Sequence, residues 1–336
     1  MSLQLTNNVS NVENEGSSFI DMVNNYDWSS TPLGPMDSWE PQIKSLINLC
    51  LKSEFPTTIF LSPEWIMIYN EASIPVLKSK HAFGKPVLEV CPESYDGLIS
   101  ALERVKSTGK GVLDNNFYLE LQRDGYIEEV YFNYTFSPIF KLDGTFWGAF
   151  NITSEVTQKV LNVRRLKTLE SLGRQTADAK SLESVCHIIT KILKDDNKDI
   201  PYAFIYLVES NNGSKTVHKS SIARLVSTTF DEEGRLGRNI PDYLPETHES
   251  IELNANTDQN CDSTSTNSPL KCNYWPIHLV MKEGKHVQVL LEDGSQAILL
   301  PTKLSFNKEQ GLSAILIFGL NPRRRLDDQY MDFLQV

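Results

Sequence analysis

Arg123-Asp-Gly-Tyr-Ile-Glu-Glu-Val-Tyr-Phe-Asn-Tyr-Thr-Phe-Ser-Pro-Ile-Phe140, followed almost at once by Leu142-Asp-Gly-Thr-Phe-Trp-Gly-Ala-Phe-Asn-Ile-Thr153, decides how the first half of this chain folds. Asp124-Gly125 and Asp143-Gly144 are turn signals, because Gly tolerates positive φ and Asp bonds its own backbone. Between them, Tyr126 to Ile139 is rich in aromatic and β-branched residues, which suit a pleated, half-buried surface. The block reads as an antiparallel hairpin with a large aromatic face and no catalytic group within it. Such a surface lines a pocket or pairs with a partner, so the first reading is a sensing or interaction module.

Upstream, residues 1–18 are polar and Asn/Ser-rich and are expected to be disordered. Tyr26 to Trp39 holds two Trp and two Pro and reads as an ordered loop pinned on a surface. Ser38 is the expected cap of the next helix, with Pro41 in its first turn, where a missing N–H costs little. Ile43, Leu46, Ile47, Cys50 and Leu51 give that helix an apolar side. Thr57 to Leu61 and Trp65 to Tyr69 read as a strand pair, with a short helical connection from Asn70. A helix over 93–108 turns Leu98, Ala101, Leu102 and Val105 inward and stops at Gly109. Strands follow at about 111–121, 126–140 and 145–153. The order implies an α+β domain over 19–153, with helices to one side of a five-stranded antiparallel sheet.

From Ser154 the period becomes helical. Val156, Val160, Val163, Leu166, Leu169 and Leu172 fall three or four apart, with basic residues between them. A linker helix over 154–178 fits, either docked on a neighbouring domain or forming a parallel dimer seam. A second α+β domain is expected over 179–336. It begins with an amphipathic helix at 181–193 and continues with strands at 203–208, 223–226, about 286–291, 296–300 and 313–318. A polar insertion covers about 231–272. The last helix, 327–336, shows no cap and turns Phe333 and Leu334 toward something, which reads as a truncation.

Lys plus Arg number 32 against 43 Asp plus Glu, a net charge of −11, which excludes nucleic acid as the main partner. Arg323-Arg324-Arg325 reads as a solvated turn. No run is apolar enough to span a bilayer and no signal peptide is visible. Cys50, Cys91, Cys186, Cys261 and Cys272 are scattered without Cys-x-x-Cys, consistent with reduced thiols in a cytosolic protein.

No phosphate-binding Gly-rich loop or nucleophile elbow is present, and His248-Glu249 lacks the second His of a zinc protease. His187 lies on an apolar helix without an adjacent acid and reads as a satisfied boundary residue. Glu128 and Glu129 point to opposite faces and share no substrate; one is expected solvated and the other in a cross-strand pair. Catalytic residues and metal ligands are therefore not expected, and no cofactor is assigned. Phe117, Tyr118, Tyr131, Phe132, Tyr134, Phe136, Phe146, Trp147 and Phe150 are core by default, and some line a cavity if a small-molecule ligand is bound.

Trp28-Ser-Ser-Thr-Pro-Leu-Gly-Pro-Met-Asp-Ser-Trp39, Tyr69-Asn-Glu-Ala, Phe83-Gly-Lys-Pro, the Arg123-Asp-Gly block and Asp143-Gly…Trp147-Gly together resemble a PAS domain at the front of multidomain, hybrid-type sensor histidine kinases. Arg164-Arg-Leu-Lys-Thr-Leu-Glu-Ser-Leu-Gly173 resembles the joint to a following GAF domain, and Gly319 to Leu334 resembles the GAF exit. The resemblance implies a PAS-like domain, a helix and a GAF-like domain in a cytoplasmic, dimeric sensory region. It implies a kinase core and receiver domains beyond Val336, since the phosphoacceptor and ATP-box motifs appear nowhere here. Val156, Val160, Val163, Leu166 and Leu169 are then the expected signal-transmission residues. A non-catalytic PAS/GAF interaction scaffold stays open as the alternative.

Overall fold

A computed structural model describes residues 18–77, 82–92, 95–123, 125–195, 198–210, 221–230, 244–253, 269–272, 274–304 and 312–335. Helices α1 (Phe19–Asn24) and α2 (Pro41–Leu51) precede strands β1 (Thr57–Leu61) and β2 (Ile66–Tyr69). Then come α3 (Ile74–Leu77), α4 (Val87–Val90), α5 (Tyr95–Thr108), β3 (Val112–Arg123), β4 (Tyr126–Phe140) and β5 (Phe146–Glu155). The strands form one antiparallel sheet in the order β2-β1-β5-β4-β3. The rest comprises α6 (Thr157–Thr176), α7 (Leu182–Asp195), β6 (Ala203–Ser210), β7 (Ser221–Thr228), β8 (Ser250–Leu253), β9 (Leu270–Lys271), α8 (Ile277–Glu283), β10 (Val287–Leu290), β11 (Gln296–Leu304), β12 (Leu312–Gly319) and α9 (Asp328–Gln335). Contacts group the chain into Met1–Arg123 with Glu129–Thr157, and Asp124–Glu128 with Gln158–Val336. The architecture is α+β: a five-stranded antiparallel sheet with helices, then a second, seven-stranded sheet with flanking helices.

In the first unit, α2 buries Ile43, Ile47, Cys50 and Leu51. Pro41 stands in its first turn, but Ser38 does not cap it: Glu40 is the N-cap, and Ser38 Oγ instead donates to the Pro35 carbonyl at 2.7 Å. The two Trp residues of the preceding loop are buried, 5.3 Å apart edge to face. Their indole N–H groups donate to the Val23 and Leu33 carbonyls at 2.9 and 3.0 Å. Each ring thus brings its polar atom into the core with a partner.

The second sheet runs β8-β7-β6-β12-β11-β10-β9, with β9 parallel to β10. Both of its faces are covered, which the continuous apolar run of β6 anticipates. Tyr202, Phe204, Tyr206, Leu299 and Ile317 pack with Trp275 and α8, while Ala203, Ile298, Leu300 and Phe318 pack with Leu193 and with Tyr330, Phe333 and Leu334 of α9. Phe333 and Leu334 therefore face this unit's own core. The expected polar insertion at 231–272 contains the short edge strands β8 and β9, whereas 231–243 and 254–268 lie outside the described residues.

α6 departs from its expected pattern. Strand β5 runs to Glu155, so Val156 precedes the helix, its N–H donating to the Tyr131 carbonyl at 2.8 Å. Leu161, Arg165 and Thr168 are buried, whereas Val163 and Leu166 are 63% and 66% exposed. Val160 and Leu169 are half-buried, Leu169 against the α9 cluster. The inward face is held by charge as well as by hydrocarbon. Asp199, fully buried, accepts from Arg164 Nε and Nη2 at 2.7 and 2.8 Å. Arg165 approaches the same carboxylate at 3.5 Å, and its guanidinium lies 4.4 Å from the centre of the Tyr330 ring. Tyr330 in turn donates to the Asp199 carbonyl. A guanidinium stacked on an aromatic face and facing a carboxylate is tolerated in a core.

The Arg323–Arg325 triplet lies at a turn, with Arg325 exposed, but its middle member is not solvated. The Arg324 side chain is only 9% exposed and donates to Glu128 at 2.9 Å. Neither glutamate of the expected pair is free in water. Glu128 meets Arg324, and buried Glu129 accepts from the Tyr131 hydroxyl on the same strand at 2.8 Å.

Candidate functional site

A cavity of about 170 Å³ lies between the first sheet and its helices. The pleat accounts for its floor, since alternate residues share a face. Phe117, Leu119 and Leu121 of β3 line it, with Phe132, Tyr134 and Phe136 of β4, Asn151 and Thr153 of β5, Thr58 and Phe60 of β1, and Met67 of β2. Ser73, Val76, Leu77, Val90, Cys91 and Leu98 close it from the helical side, and exposed Gln122 stands at its rim. At roughly 24 cal/mol per Å³, a void of this size costs about 4 kcal/mol relative to a filled core. An occupant offsets that cost.

None of the lining residues is Asp, Glu, Lys, Arg or His. A charged ligand would lose its hydration there without a countercharge. The polar groups are few and anchored. Asn151 Nδ2 donates to the Thr135 carbonyl at 3.0 Å, and its Oδ1 accepts from Thr153 Oγ1 at 2.7 Å. Ser73 Oγ donates to Asn70 Oδ1 at 2.8 Å. The Tyr134 hydroxyl donates to Asp114 at 3.2 Å; burial, then the Asp114 carboxylate, pushes its pKa up to about 12. The phenol therefore stays protonated at neutral pH.

Of the aromatic candidates, Phe117, Phe132, Tyr134 and Phe136 line the cavity, whereas Tyr118, Tyr131, Phe146, Trp147 and Phe150 do not. Sequence reasoning missed Thr58, Ser73, Asn151 and Thr153. The readable signal was parity, since Asn151 and Thr153 interrupt an apolar strand two residues apart.

The other candidates carry no chemistry of this kind. His187 Nδ1 lies 3.0 Å from Ser227 Oγ, a satisfied boundary residue. Burial pushes the Cys50 and Cys186 thiols up to about 12 and about 11, away from the reactive thiolate. Cys261 lies outside the described residues. Among the described residues no cluster of His, Cys, Asp or Glu is placed to hold a metal, and no helix is long and apolar enough to cross a membrane.

No family model matches the chain, and no curated protein matches it. Among solved structures, a PAS domain from Colwellia psychrerythraea is 16% identical, with 35% of this chain and 98% of that one aligned at a TM-score of 0.28. A sensory box sensor histidine kinase from Vibrio cholerae is 20% identical over 34% of this chain and 87% of that one, TM-score 0.25. The chromophore-binding domain of the Stigmatella aurantiaca bacteriophytochrome is 13% identical over 85% of this chain and 95% of that one, TM-score 0.24. With TM-scores this low, none of these likenesses bears weight on its own; the α+β architecture and the cavity stand on the chain's own geometry.

Proposed function

We propose that this chain is the cytoplasmic sensory region of a two-component histidine kinase, in which occupancy of the first unit's cavity sets the state of a kinase core and receiver domains beyond Val336. The cavity carries this reading: an uncharged apolar chamber with a few anchored polar groups is how small ligands are held. α6 is the transmitting element, passing a shift between two packed states. Val163 and Leu166 present an apolar face on its outer side that fits a parallel homodimer seam. Val160 and Leu169 border that seam, and Val156 sets the helix entry.

The test is made in the parent polypeptide, by autophosphorylation with and without signal. Leu166→Pro removes a helical hydrogen bond and costs the helix about 3 kcal/mol. It is expected to uncouple input from output, and an unchanged response would refute the transmission role. A non-catalytic interaction scaffold is the second reading, favoured by the exposed Leu113, Tyr118 and Ile152 on the first sheet. Its mark is partner capture that survives filling the cavity with Leu98→Trp.

A further inference from the structure

Four hydroxyls line the cavity, and three of them, those of Ser73, Tyr134 and Thr153, have already committed their hydrogen to the protein. Thr153 donates to Asn151 Oδ1 at 2.7 Å. That amide is oriented by its other end, because Nδ2 faces the Thr135 carbonyl at 3.0 Å and a carbonyl only accepts. Ser73 Oγ lies 2.8 Å from Asn70 Oδ1 and 3.2 Å from the Thr57 carbonyl, acceptors both. Asn70 is oriented too: Oδ1 accepts the Thr57 N–H at 3.1 Å while Nδ2 donates to the Ser53 carbonyl at 2.7 Å. Tyr134 donates to Asp114 Oδ2 at 3.2 Å.

A hydroxyl whose hydrogen is engaged offers only lone pairs. Toward the cavity these three groups are therefore acceptors. Against them stand the second amide hydrogen of Asn151, the Thr58 hydroxyl and, at the rim, Gln122. Asp114 itself is not a lining residue, so the acceptor bias comes without net charge.

Resting on the reading of the cavity as a ligand site, we propose that it selects small neutral molecules whose ring-sized apolar body carries an N–H or O–H donor. The size follows from the volume, since a cavity of roughly 150 Å³ accommodates benzene. The recognised feature is the donor. An unmatched ligand donor in an apolar chamber would lose its bond to water, whereas here it meets a waiting lone pair.

The test measures binding of phenol, anisole and toluene to the full chain by calorimetry, in the wild type and in Ser73→Ala, Tyr134→Phe and Thr153→Val. Thermal unfolding checks that each variant is folded. Phenol is expected to bind about tenfold more tightly than anisole, a ratio equal to about 1.4 kcal/mol, and at least one variant should lose most of that preference. Equal binding of phenol and anisole to the wild type, or a preference that survives all three variants, overturns the donor selection while the ligand site stands. Failure of all three probes to bind the wild type overturns the ligand site itself, and the donor selection with it.

Discussion

Replacing Asp199 with Asn removes one charge and almost no volume from an ion pair whose carboxylate is fully buried. Its partners are Arg164, 15% exposed, and Arg165, 6% exposed, so one carboxylate faces two guanidinium groups. Removing one side of a buried pair costs about 3–5 kcal/mol, because the remaining charge stays desolvated. Arg164 retains some access to water, which places the expected loss near the lower end, about 3 kcal/mol. For a unit of this size each kcal/mol is worth about 2–4 °C, so the transition of the second unit should fall by roughly 6–12 °C. Calorimetry and urea unfolding at pH 7 read this directly. The loss should persist at 1 M NaCl, since salt screens buried pairs much less than exposed ones. The exposed Lys106–Glu103 pair supplies the contrast: Lys106→Met should change stability by less than about 1 kcal/mol. A loss below about 1 kcal/mol for Asp199→Asn, or one that disappears in salt, would mean that Asp199 is solvated and that α6 is not held by charge.

Two glycines should respond with opposite signs. A Cβ on Gly148 would lie 2.2 Å from the Phe60 carbonyl across the β1–β5 ladder, so Gly148→Ala should cost about 1–3 kcal/mol in urea unfolding. Gly173, inside α6 with open space around it, should gain up to about 1 kcal/mol on becoming Ala; a destabilised Gly173→Ala would contradict the helix there. His278 sets an acid limit. Burial, then Lys282, lowers its pKa below the ordinary 6.5. The unfolded chain therefore binds the proton more readily. Stability from this group is complete above pH 6.5 and is lost as pH falls through the lowered value. His278→Gln should flatten the slope of stability between pH 7 and 5, and an unchanged slope would rule this out.

The hairpin of the first sheet was legible because its signals are local: Asp-Gly pairs flank a run from Tyr126 to Ile139 that is rich in aromatic and β-branched residues. The inward face of α6 was not, because periodicity counts only apolar residues as inward. Val163 and Leu166 satisfied that count and lie in the open, while Arg165 and Thr168 are buried. What buries Arg165 is the Tyr330 ring and the Asp199 carboxylate, partners that no local window contains. Strand β8 was hidden for a related reason: Ser250 to Leu253 is too short to show a period and owes its form to pairing with β7. The cavity falls between these cases. Its aromatic lining could be named from composition, but its selectivity depends on where three hydroxyl hydrogens point. Those directions are set by Asn70, Asp114 and Asn151, of which only Asn151 touches the chamber. A search confined to lining residues would therefore describe an apolar pocket and miss the feature that discriminates among neutral ligands of equal size.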